Sequence, residues 1–115
     1  MAISEFEIKR CEKELLKFLE KHRPPVHIRH ELDIYYRIEN QSVEIFEVTP
    51  QWDDPKTKIE TPVAKTTYVK SHKHWKIFWH RQDMKWHPYE PAATVKYFEE
   101  FLDIVGEDEH ACFFG

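Results

Sequence analysis

His72 to Pro91 reads H-K-H-W-K-I-F-W-H-R-Q-D-M-K-W-H-P-Y-E-P and holds three of the four tryptophans and four of the eight histidines. Trp75 to Arg81 is apolar and aromatic with a period of two, the spacing at which side chains share one face of a sheet. One face carries Trp75, Ile77, Trp79 and Arg81, and the other His72, His74, Lys76, Phe78 and His80. The first is the better core, since burying a large aromatic contributes roughly 2 to 3 kcal/mol. Arg81 to Lys85 reads as a turn. Pro88 pushes His87 into an extended conformation, so Trp86 and Tyr89 lie on an extended segment that leads to a helix near Pro91.

Upstream, Ser4 to Glu7 fits a capping box, and Ile8, Cys11, Leu15, Phe18 and Leu19 recur at helical spacing. Arg23-Pro24-Pro25 ends this first helix. Cys11 on its apolar stripe reads as a core residue rather than a nucleophile. From Val26 to Ile38 apolar residues alternate with polar ones, which predicts one long strand with a single buried face and places His30 in the apolar set. Glu39 to Ser42 turns the chain into a second strand, Val43 to Thr49. Pro50 to Pro62 shows no period and is expected to be a long loop, with Trp52 pinned to the core. Val63 to Lys70 is a third strand, and Ser71 to His74 turns it into the fourth, Trp75 to Arg81. The second helix is expected from Ala92 to Val105, with Gly106 just past its end, and the aromatic terminus H-A-C-F-F-G is expected to dock on the sheet. Together these predict a two-layer α+β domain spanning 1–115, in the order α-β-β-β-β-α with a short strand in the C-terminal part. An antiparallel sheet of four or five strands would carry both helices on one face.

Composition narrows the function. At 115 residues and 41% hydrophobic content the chain can bury one core. It has no apolar run long enough to span a membrane, and M-A-I-S-E-F-E-I-K-R is not a signal peptide, so the expected location is cytoplasmic. Cys11 and Cys112 are expected as free thiols in that compartment. With two glycines the chain has no phosphate-cradling loop, and no cofactor is expected. Charge is uneven: residues 1–55 hold 12 acids and 8 bases, 56–89 hold 2 acids and 8 bases, and 90–115 hold 7 acids and 1 base.

Three chemistries compete for these residues. His72 and His74, roughly 6.6 Å apart along a strand, are the pair that would bind a metal if any did, but no zinc-ligand spacing accompanies them. Asp83-Met84-Lys85 has the D-x-K form of a metal-dependent nuclease, a pattern that also arises by chance at Glu7-Ile8-Lys9 and Asp54-Pro55-Lys56. The reading preferred here is a non-enzymatic binding surface for an anionic partner, nucleic acid or an acidic protein. It is carried by Arg37, Lys65, Lys70, Lys76, Phe78 and His80, because stacked aromatics among basic groups suit single-stranded nucleic acid. A protein-interaction or homodimer module using Trp52 or Trp86 is the alternative. W-K-I-F-W-H-R-Q-D-M-K-W-H-P-Y-E-P, followed by a helix and a terminal C-F-F-G, resembles the bacterial family known as domain of unknown function 3024. The resemblance implies a small bacterial cytoplasmic protein, and no catalytic residue.

Overall fold

The computed structural model describes residues 3–114, so Gly115 of the terminal motif lies outside the described residues. The elements are α1 (Glu5–His22), β1 (Asp33–Glu39), β2 (Ser42–Gln51), β3 (Asp54–Val69), β4 (His74–His80), β5 (Trp86–Pro88), β6 (Thr94–Val95) and α2 (Phe98–Glu107). The sheet is an antiparallel meander in the order β1-β2-β3-β4-β5, and β6 also pairs with β4. It is α+β, as the patterning predicts, and among the described residues no helix is long and apolar enough to cross a membrane.

Both helices cover one face of the sheet. Cys11, Leu15, Phe18 and Leu19 of α1 and Phe98, Phe101, Leu102 and Val105 of α2 pack in one cluster with Ile34, Val43, Ile45, Ala64, Trp75 and Ile77. Trp75 meets Phe98 at a ring separation of 5.1 Å. Thr66, fully buried among them, donates its hydroxyl to the Lys76 carbonyl at 2.8 Å, which removes the cost of an unpaired polar group in the core. Cys11 is buried to 1% exposure, and burial pushes its thiol up to about 12. It is a core residue, as read from its stripe. Both cysteines are free.

The alternation from Val26 to Ile38 is misleading in its first half. Val26–Ile28 forms a 3-10 turn after Pro25, closed by the Arg29 Nε–H donating to the Pro24 carbonyl at 2.8 Å. Val26 is 74% exposed, and His30 is exposed rather than in the core. Pairing with β2 stops at Asp33↔Val48. The next positions on β2 are Thr49 and Pro50, and a proline has no N–H to extend a ladder. Arg23 fixes where β1 starts instead, by donating from Nε and Nη2 to the two Asp33 carboxylate oxygens at 2.7 Å each.

Residues 50–62 are not a loop. They complete β2 and form the first half of β3, in register from Pro50↔Lys58 to Phe46↔Pro62. The ladder has a bulge beside Ile45/Phe46, where Val63 is the extra residue. Val63 and Ala64, though adjacent, are therefore both buried, at 2% and 0% exposure. Beyond the bulge residues 52–61 are exposed without interruption. Trp52, at the tip, is 92% exposed and not pinned to the core.

The second helix starts later than its stripe suggests. Ala93 accepts the Ile77 N–H at 2.9 Å and Val95 pairs with Trp75, so this segment completes the edge of β4 end to end with β5. Glu100 then caps α2 by accepting from the Lys96 and Tyr97 N–H groups at 3.1 and 3.0 Å. Gly106 lies within α2 and not after it. A Cβ there would stand 2.9 Å from His22 Nε2, so its use is the close approach of the two helices. The left-handed residue that ends α2 is Asp108, at φ 44°. Its two carboxylate oxygens accept the N–H groups of Phe113 and Phe114 at 3.0 and 2.9 Å. Phe113 is thereby ordered at 7% exposure, with its ring 5.0 Å from that of Tyr89.

Ending the chain at Ala111 should lower the melting temperature by several degrees in a thermal scan, since about 2 kcal/mol of aromatic burial is lost; an unchanged curve would mean that the tail contributes nothing. The Arg23 guanidinium, followed by the Ile34 N–H, holds the Asp33 carboxyl below its ordinary range. A carboxylate depressed in the folded state stabilises above its unfolded pKa, near 4, and ceases to as pH falls through its folded value. Asp33→Asn should therefore cost about 1–2 kcal/mol at pH 7 in urea unfolding, and the difference from the parent should shrink as pH falls through the depressed folded value.

Candidate functional site

The face of the sheet opposite the helices is uncovered, and the register states which residues meet on it. Arg37, Glu44, Lys65, Phe78 and Pro88 form one row across the five strands, from the pairs Arg37↔Glu44, Glu44↔Lys65, Lys65↔Phe78 and Phe78↔Pro88. A second row runs Glu39, Ser42, Thr67 and Lys76. On the other side of the first row lie Tyr35 paired with Phe46, and His80 paired with Trp86. Antiparallel partners point to the same side of a sheet, so Arg37, Lys65, Lys76, Phe78 and His80 share this face. Lys70 does not. It follows β3 in the turn to β4, at the end of the sheet.

Within the face the charges divide. Arg37 donates to Glu60 Oε1 at 2.7 Å and lies over the Phe46 ring at 4.8 Å, which leaves Phe46 at 6% exposure although no helix covers it. Glu39 and Glu44 lie in the same part of the face. The half formed by β3, β4 and β5 is different. Lys65 Nζ stands 5.8 Å from the Trp86 ring, the His80 and Trp86 rings meet edge to face at 5.0 Å, and Phe78 is half-buried between Lys65 and Pro88. Lys76 is one diagonal step from Lys65, roughly 7–8 Å away and somewhat less at Cβ. Trp86 belongs to the cluster, though the sequence does not mark it for this face. The signal available was the five-residue turn Arg81 to Lys85, which brings Trp86 back opposite His80. Tyr68, which alternation groups with Ala64 and Thr66, points inward with its ring 5.0 Å from Trp75 and is not part of the open face.

The remaining candidates assemble less. The His72 and His74 rings stack at 5.4 Å, and the Ser71 hydroxyl lies 2.9 Å from His72 Nδ1. Among the described residues no group of three or more His, Cys, Asp or Glu side chains is placed to hold a metal ion. In the D-x-K segment, one Asp83 oxygen lies 2.7 Å from His87 Nε2 and the other accepts the Lys85 N–H at 3.0 Å. The His87 contact is the main reason that the Asp83 carboxyl is lowered. Asp83 thus shapes a turn. At this corner Arg81 lies over the Trp79 ring at 5.2 Å, beside a cavity of about 250 Å³ lined by Trp79, Arg81, His87, Tyr89 and Cys112. The tryptophan-rich stretch and the terminal C-F-F-G, which carry the family resemblance, both contribute to it.

Residues 3–115 match the family model described as a domain of unknown function (DUF3024). No curated protein and no solved structure matches the chain.

Proposed function

Because the chain belongs to the family described as a domain of unknown function, DUF3024, which brings no activity with it, we propose from its own surface that it is a non-enzymatic binding module for an anionic partner. Single-stranded nucleic acid is the first choice and an acidic protein the second. The observation that carries this reading is the Lys65–Trp86–His80–Phe78 cluster with Lys76 beside it, on a sheet face that no helix covers. Aromatic rings on such a face give bases a stacking platform, and the flanking lysines meet phosphates. Arg37 and Lys70 would extend the field rather than anchor it, since Arg37 already serves Glu60 and Lys70 lies at the sheet end. The bacterial cytoplasm, with its reduced thiols, is the proposed setting for a chain whose two cysteines are free.

Counterion release makes such binding steeply salt-dependent, with a log–log slope of about −0.7 per phosphate contact on single strands. Fluorescence polarisation with labelled oligonucleotides at about 50 and 200 mM salt should show binding that weakens as salt rises. Lys65→Glu with Lys76→Glu should cost roughly tenfold or more at the lower salt and flatten the slope by about 1.4. No binding of any oligonucleotide at low salt would remove the nucleic-acid reading, and charge reversals without effect would remove this face as the site.

A further inference from the structure

Among the described residues, the exposed half of β3 has one side without a strand partner. β4 pairs with β3 only from Ala64 to Val69, while β2 occupies the other side as far as the tip. Residues 54–62 therefore run along an open edge. Two prolines determine what this edge presents. In an antiparallel ladder a proline can stand only at a non-hydrogen-bonded pair, because it has no N–H to exchange. Pro50 stands opposite Lys58 and Pro62 opposite Phe46, in one uninterrupted register. Pair types alternate, so Thr49↔Ile59 is a bonded pair, and Lys58 and Glu60 turn their N–H and C=O groups outward. Both residues are exposed, as is Ile59 at 44%.

We infer that this edge pairs with the same edge of a second copy, antiparallel about a two-fold axis through Ile59. Side-chain complementarity selects the register. Outward-facing residues must pair with outward-facing residues, which leaves three two-fold arrangements centred on Lys58, Ile59 or Glu60. The first sets Lys58 against Lys58, and the third sets Glu60 against Glu60 and Lys58 against Pro62. Only the arrangement about Ile59 places Lys58 opposite Glu60 in both directions, with Ile59 against its counterpart and Thr57 against Thr61. Lys58 and Glu60 project to the same side, both opposite outer-face positions of β2. Glu60 can keep Arg37 as its neighbour within the chain. Two bonded pairs give about four backbone hydrogen bonds, and Pro62 stops the ladder before it can spread. The exposed Trp52 of each copy is carried toward the base of the other ribbon, level with the end of β4. Ten exposed residues a side, 52–61, is less than the roughly 20–30 of a stable interface, so the dimer is weak, with Kd in the micromolar range or above.

Sedimentation velocity on the full chain from about 10 µM to 1 mM should show a monomer–dimer equilibrium in this range. Lys58→Glu and Glu60→Lys each set like charges against one another and should each weaken self-association at least tenfold or so. The decisive measurement is their mixture. One single variant presents Glu at both positions and the other Lys at both, so equimolar amounts of the two should associate as well as the parent does, where neither does alone. The double variant Lys58→Glu/Glu60→Lys should also self-associate, although it cannot re-form the Arg37–Glu60 pair. A parent that is monomeric at 1 mM, single variants that dimerise as the parent does, or a mixture that stays monomeric would each overturn the proposal. Circular dichroism on each variant shows that folding is retained.

Discussion

The bulge at Val63 divides the molecule into two kinds of sheet. On one side of it, β3 lies between β2 and β4 beneath two helices. On the other, it has β2 alone and water on both faces. One extra residue does this by turning two consecutive side chains, Val63 and Ala64, into the core, which anchors the strand where its pairing with β4 ends. The buried face then has a fixed length. α1 and α2 cover that length, and the close approach at Gly106 and His22 sets how tightly they sit together. Sixteen residues of β3 are thus one continuous strand in two environments.

What could be read in the sequence follows the same division. Where one face is buried and the other wet, the period of two in Trp75 to His80 and the helical stripe of Ile8 to Leu19 are the direct imprint of burial, and both elements form where expected. The ribbon of residues 52–61 is wet on both faces, so burial writes no period into it and it resembles a loop. Val26 to Leu32 fails in the opposite sense. Its alternation is regular, but two prolines precede it and Pro50 lies where its partner would be, so the pattern has nothing to pair with. The start of α2 was hidden for a third reason: Thr94 and Val95 are taken by the open edge of β4, a demand set by residues twenty positions earlier that no local window contains.

The basic block of residues 56–89 is a fact of composition that folding disperses. Lys56 and Lys58 go to the ribbon, Lys70 and Lys73 to the turn before β4, and Arg81 and Lys85 to the turn after it. Only Lys65 and Lys76 remain together on the open face with the aromatic rings. Counting charges along the chain overstates the field at any one place, because a strand turns alternate side chains to opposite faces and a turn points them away from both.

The meander has a kinetic consequence. Each of β1 to β5 pairs with the strand next to it in the chain, so every one of those ladders can form by closing a short loop, at small entropic cost. The helices are different: Arg10 meets Glu99 and His22 meets Gly106 across most of the chain. Neighbour-to-neighbour pairing keeps the sheet's loop closures short, the arrangement that favours fast folding among sheet proteins. The hairpins around β3 close the shortest loops in the chain, and the docking of α2 on α1 closes the longest. If the longest closure forms last, substitutions in that helix–helix seam should change the unfolding rate more than the folding rate.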